Sequence, residues 1–172
     1  MGSEMLKTLY MDGSIKIAES EDGVFLHVGE QIYSLTSHAY EPCLYIQSED
    51  KSLITIHDAI TVEDIRSMAE SKRSTMLIAG AHHDIKGICM LLSKALTLSM
   101  ESVNMSYLEG CCFLDYLDKC GAISEETAVT LKDSAIDNPY ALIPFLESKK
   151  IYKTNDERYY LTNSYCRNYL SG

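Results

Sequence analysis

Residues 8–35, "TLYMDGSIKIAESEDGVFLHVGEQIYSL", decide how the N-terminal half of this chain is read. Short runs rich in β-branched and aromatic residues alternate with the turn pairs Asp12-Gly13, Asp22-Gly23 and Gly29-Glu30. A glycine-bearing pair between two extended runs is a hairpin signal, because the tight turn needs a backbone that only glycine or asparagine adopts cheaply. The runs on either side of Asp12-Gly13, then Val24–Val28 and Gln31–Leu35, therefore read as four successive strands. Residues 43–58, "CLYIQSEDKSLITIHD", add a further pair around Ser48–Lys51, with Leu44, Ile46, Ile54 and Ile56 alternating along it. Period-two alternation places these side chains on one face. The expectation for residues 5–58 is an antiparallel β-meander of about six strands with one face packed on helices.

Downstream, the period changes from two to 3.6. Thr61 and Asp64 in "TVED" form a capping box that opens a helix with Val62, Ile65, Met68 and Ala69 as its apolar stripe. "TMLIAG" (75–80) is short enough to read as a strand. Ile85, Ile88, Cys89, Leu92, Ala95 and Leu96 recur at three-and-four spacing, so residues 84–100 read as a central buried helix. Gly87 inside it points to close packing against another backbone.

The last third reads as three helices, a two-stranded wing and a final short helix. Tyr107, Leu108, Cys111, Leu114 and Leu117 define the first, closed by Gly121. "ISEETAVTLKDSA" is the second, capped by Ser124. Asn138 caps the third with Pro139 in its first turn, and Pro144 kinks or restarts it. A hairpin around Thr154–Glu157 follows, then a short helix, "NSYCRNYL", begun by Thr162. "LDYL", "CGAIS", "FLESKKIYK" and "RYYLT", in this order, resemble the winged-helix superfamily over residues 106–170. That resemblance implies a module that binds DNA or serves protein contacts and dimerisation. The charge pattern departs from DNA binding: in 137–150, Asp137 and Glu147 cancel Lys149 and Lys150, and in 151–162, Asp156 and Glu157 cancel Lys153 and Arg158. A neutral reading surface supplies few phosphate contacts. Lys149, Lys150, Lys153, Arg158 and Arg167 make the only basic patch in view.

The fold class expected is thus α+β: an N-terminal antiparallel β-meander with one or two helices, and a C-terminal winged-helix-like helical module. The organisation reads as a β-rich module at 5–82, a central helix and connector at 83–104, and the winged-helix-like module at 105–170.

Bulk composition limits function. The 172-residue chain has 46% hydrophobic and 23% charged residues and a formal net charge of −10, which disfavours bulk phosphate binding and suits a basic partner. Residues 1–108 hold 15 acids against 8 bases, −7, and residues 109–172 hold 10 against 7, −3. The first three residues read as an expression remnant, and the start shows neither secretory signal nor membrane span, so a cytoplasmic location is expected. Cys43, Cys89, Cys111, Cys112, Cys120 and Cys166 contain no CxxC spacing and read as reduced thiols.

Chemistry-bearing candidates are few. The chain has no P-loop, GxGxxG, GxSxG or HExxH motif. "AHHDIKG" (81–87) reads first as a helix start, with His83 or Asp84 as its cap. The wider "LIAGAHHDIKG" resembles the HD phosphohydrolase superfamily. That likeness implies His57, His83 and Asp84 with Asp115 or Asp118 around a metal that activates water against a phosphoester. A third reading joins His82 and His83 to a cysteine or another histidine in a metal site. Cys43 follows His38, Tyr40 and Glu41, which raises a thiol–imidazole pair, while Pro42 also reads as an edge-strand start. Among twelve tyrosines and no tryptophan, Tyr152, Tyr159, Tyr160, Tyr165 and Tyr169 cluster near the C-terminus. Tyrosine gives contact area at low entropic cost, so Tyr152, Lys153, Arg158, Tyr159 and Tyr160 are the expected partner-binding residues.

The function expected is non-enzymatic, without a cofactor. The chain would be a regulatory or interaction protein that docks on another macromolecule, most of all a protein, as an inhibitor or immunity-type antagonist does. One alternative is a ligand-responsive or dimeric winged-helix regulator on DNA, which leaves a homodimer open. The other is a small metal-dependent HD-like phosphohydrolase.

Overall fold

The computed structural model describes residues 6–38, 43–57, 60–71, 75–78, 81–98, 100–133 and 138–162. It divides into two units, Met1–Met105 and Ser106–Gly172. The segment 83–104, read from sequence as a central helix and connector, falls in the first unit.

The first unit is built on the meander. Strands β1 (Lys7–Asp12), β2 (Ile15–Ser20), β3 (Gly23–Val28), β4 (Gln31–Ser37), β5 (Leu44–Gln47) and β6 (Leu53–Ile56) pair antiparallel in chain order. Gly13 and Gly29 hold φ of 64° and 62° in two of the turns, the left-handed backbone those turns require. Pairs such as Ile17↔Leu26 and Leu35↔Ile46 set one face of the sheet. That face is buried, with Ile17, Leu26, Leu35, Leu44, Ile46 and Ile56 essentially inaccessible to water.

Two helices supply more of the core. α1 (Val62–Ser71) opens on the expected capping box: Thr61 Oγ1 accepts from Asp64 N at 3.1 Å, and Asp64 Oδ2 accepts from Thr61 N at 2.9 Å. Its buried Ile65, Met68 and Ala69 follow the apolar stripe, and it packs on β1, β4 and α2. Arg66 ties α1 to the sheet through Glu19 at 2.5 Å and pairs with Glu70 at 3.0 Å. A two-stranded sheet of β7 (Met76–Ile78) and β8 (Ala81–His83) leads into α2 (Ile85–Thr97). "TMLIAG" thus supplies a strand, but its partner is β8 rather than the meander. α2 buries Ile85, Ile88, Cys89, Leu91, Leu92 and Ala95. Burial, then Asp12 and Asp84 nearby, pushes the Cys89 thiol up to about 12, so this cysteine stays neutral and inert. β9 (Ser102–Val103) then joins β6 in parallel and completes a seven-stranded sheet.

The second unit begins at the second residue of α3 (Met105–Cys120), which buries Leu108, Cys111, Phe113, Leu114 and Leu117 and ends at Gly121, with φ of 70°. The second helix expected at 123–135 is corrected. Ser124 caps only a single 3₁₀ turn, Glu125–Thr127. β10 (Val129–Thr130) and another short 3₁₀ turn, Leu131–Asp133, follow. The β-branched Val129 and Thr130 favour extension, and their backbones pair with Tyr159 and Arg158 of β12 (Arg158–Leu161).

Asn138 caps the next segment, its side chain accepting from Tyr140 N at 3.2 Å. A 3₁₀ turn, Pro139–Leu142, gives way at Pro144 to α4 (Ile143–Glu147). The restart follows from the missing proline donor. β11 (Ile151–Lys153) and β12 close the hairpin, and the small sheet runs β10-β12-β11. The short helix expected from Thr162 onward lies outside the described residues. No helix among the described residues is long and apolar enough to cross a membrane.

Candidate functional site

The "HHD" stretch resolves into local structure. His82 and His83 end β8, and adjacent strand residues face opposite ways: His82 is exposed and His83 buried. Asp84 is the N-cap of α2, its Oδ1 accepting from Gly87 N at 2.8 Å. A Cβ added at Gly87 would sit 3.3 Å from that carboxylate oxygen, so the glycine makes room for the cap and not for another backbone. Asp84→Ala is expected to cost about 1 kcal/mol, read as a lower urea midpoint with an unchanged denaturant slope.

The metal candidates are not assembled. His57 follows β6, while His83 and Asp84 sit at the β8–α2 junction. Among the described residues, no three His, Cys, Asp or Glu side chains are grouped so as to hold a metal ion.

In the second unit, the hairpin residues separate by face. Tyr159, expected among the partner contacts, is 5% exposed and meets Phe113 edge-on at 5.5 Å. β12 alternates, so Tyr160 and Arg158 point the other way. Tyr152 is 46% exposed and lies directly across from Tyr160, their ring centroids 5.6 Å apart. Both hairpin cations meet the hairpin's own acids. Lys153 Nζ is 3.6 Å from Glu157, and Arg158 Nε is 2.8 Å from Asp156. The Thr154 hydroxyl, and then Arg158, hold the Asp156 carboxyl below its usual range.

Beside this hairpin lies a groove of about 520 Å³, lined by Leu131, Pro139 and Tyr159 together with Lys132, Lys153 and Asp156. Its lining carries charges of both signs, Lys132 and Lys153 with Asp156 and Glu157. The neighbouring segment 139–147 exposes Tyr140 (72%) and Ile143 (44%), with Pro139 and Pro144 also exposed, and contains no lysine or arginine. Sequence reasoning did not single out Tyr140 or Ile143. Their signal was an apolar pair at i, i+3 in a segment whose opposite face holds Ala141, Leu142 and Phe145.

At the far end of the meander, Cys43 Sγ lies 3.4 Å from His57 Nδ1. The histidine at Cys43 is thus His57 and not the His38 that the sequence reading set beside the thiol; His38 instead stacks edge-on against Tyr45 at 5.0 Å. Tyr40, Glu41 and Pro42 lie outside the described residues, as do Asp137, Tyr165, Cys166, Arg167 and Tyr169. Compared with protein-family models, curated proteins and solved structures, the chain matches none of them.

Proposed function

We propose that this protein is a non-enzymatic regulator that docks through its C-terminal unit onto a basic protein. The observation that carries the reading is the apolar exposed surface of residues 139–144. A large tyrosine and an isoleucine held in water on a helical segment have no role in the core they leave. Such side chains are the anchors of protein interfaces, and tyrosine is enriched among the residues that dominate binding energy. The net charge of −10 favours a positively charged partner and speeds its approach. Inhibitor or immunity-type antagonism belongs to this class.

The order of α3, β10, the helical segment at 139–147 and the β11–β12 hairpin supports the winged-helix resemblance. A second reading, a winged-helix regulator on DNA, draws on exposed Lys149 and Lys150 just after α4. The internally paired Lys153 and Arg158 weigh against it, because a phosphate would have to displace the hairpin's own carboxylates.

Photo-crosslinking from Tyr140→p-azidophenylalanine, in the cells that make the protein, tests the proposal. The expected result is one discrete basic protein. Its purified form binds the full chain, and Ile143→Asp weakens that binding at least about tenfold, the effect of losing ~1.4 kcal/mol at an anchor. Tighter binding to duplex DNA than to any captured protein, or affinity that ignores Ile143→Asp, would overturn it.

A further inference from the structure

We infer that Cys43 and His57 form a nucleophilic thiol–imidazole pair, a modification site for soft electrophiles. The pair is placed by sheet register. Leu44 of β5 lies opposite Ile56 of β6, so the next residues outward, Cys43 and His57, are also cross-strand neighbours. Leu44 and Ile56 face the core. Alternation therefore puts Cys43 and His57 on the opposite, open face of the sheet, where Cys43 is half-buried and His57 exposed. The His57 backbone is anchored as well, its N donating to Val103 O at 2.9 Å. The sulfur–nitrogen approach of 3.4 Å thus joins side chains on neighbouring strand ends.

The chemistry follows from the contact. The thiolate is the nucleophile, and a basic ring nitrogen within hydrogen-bond reach receives its proton. With the ring proton on Nε2, Nδ1 accepts the proton of the Cys43 thiol. The sulfur electron pair then forms a bond to the electrophilic centre as the bond to the leaving group breaks. The leaving group departs with its electron pair, and the proton remains on His57. No redox partner is needed. Of the other described cysteines, Cys89 and Cys111 are buried, Cys112 on α3 is half-buried, and Cys120 is exposed at the end of α3.

Cys120 is the internal reference for the test. The native full chain is treated with iodoacetamide at neutral pH, and the alkylation rate of each cysteine is read by peptide mass spectrometry. An isolated thiol is only a few per cent thiolate at this pH. A base that holds the thiolate therefore leaves room for about a tenfold gain over a more exposed thiol. Cys43 is expected to react about tenfold faster than Cys120 although it is less exposed. His57→Gln should bring Cys43 to the Cys120 rate or below, while His38→Gln leaves it unchanged. A Cys43 rate no higher than that of Cys120 in the unmodified sequence would sink the idea, as would a fast rate that survives His57→Gln. The first comparison needs no variant, so it stands whether or not His57→Gln folds.

Discussion

Gly110→Ala is expected to destabilise the protein by about 2 kcal/mol or more, although alanine is the better helix former. Gly110 lies within α3. A Cβ built there would stand 2.3 Å from Phe145 Cε2 and 2.7 Å from the Ala141 carbonyl oxygen. The ring could turn, at the cost of its place in the core and its stacking on Tyr107 at 5.4 Å. The carbonyl belongs to the 3₁₀ turn Pro139–Leu142, whose backbone is held by the Asn138 cap, and cannot yield cheaply. Overpacking of this kind costs typically 1–3 kcal/mol, and a clash with main chain belongs at the upper end or beyond. The gain in helix propensity, about 1 kcal/mol, offsets only part. Denaturant unfolding reads the difference. Adding Phe145→Leu should recover some of the loss by removing the ring contact, and leave the rest. Equal or greater stability in Gly110→Ala would mean that α3 and the segment at 139–145 do not approach this closely.

That glycine also shows where sequence reading stops. A single glycine in "LEGCC" looks like one of the chain's turn residues, because nothing local says that Ala141, thirty-one positions away, comes up against it. Gly87, by contrast, drew attention as a packing residue and serves only its neighbour Asp84. The meander was legible because its information is local: turn pairs and alternation lie within a few residues of the strands they define. Where pairing is non-local, the reading failed. Val129 and Thr130 extend because Tyr159 and Arg158 lie beside them, so the helix expected from Ser124 stops after one turn. Tyr152, Tyr159 and Tyr160 form one cluster in sequence, yet the pleat sends Tyr159 to Phe113 and Tyr160 to Tyr152. The two-residue β9 carries no periodicity at all. The Cys43–His57 contact was one residue from view. A turn centred on Ser48–Lys51 pairs Cys43 with Ile56. Lys51 instead adopts φ of 72° and the turn takes one more residue, giving Gln47↔Leu53. A slip of one exchanges the faces, and here it brings the thiol to the imidazole.

Asn138→Ala is expected to cost about 3 kcal/mol, the largest effect of any single polar substitution considered. Glu109 is fully buried within α3, and Asn138 Nδ2 donates to its Oε2 at 3.1 Å. The same side chain caps the segment that follows, its Oδ1 accepting from Tyr140 N at 3.2 Å. Alanine removes both contacts. The cap accounts for about 1 kcal/mol. Taking a donor from a buried carboxyl oxygen accounts for the rest, about 1–3 kcal/mol and more where charge is involved. The two losses separate in a double-mutant cycle. Glu109→Met alone leaves Asn138 its cap but takes the acceptor from its buried Nδ2, so it should cost about 1 kcal/mol or more. Combined with Asn138→Ala, it removes both partners of the buried bond, and replacing both with apolar groups of similar shape is nearly neutral. The double variant should therefore be more stable than Asn138→Ala alone and settle about 1 kcal/mol below the unmodified chain, the deficit of the missing cap. A coupling of about 2–3 kcal/mol between the two sites is the quantity to measure. Simple additivity would mean that Asn138 acts through its cap alone and that the carboxyl at 109 depends on other donors.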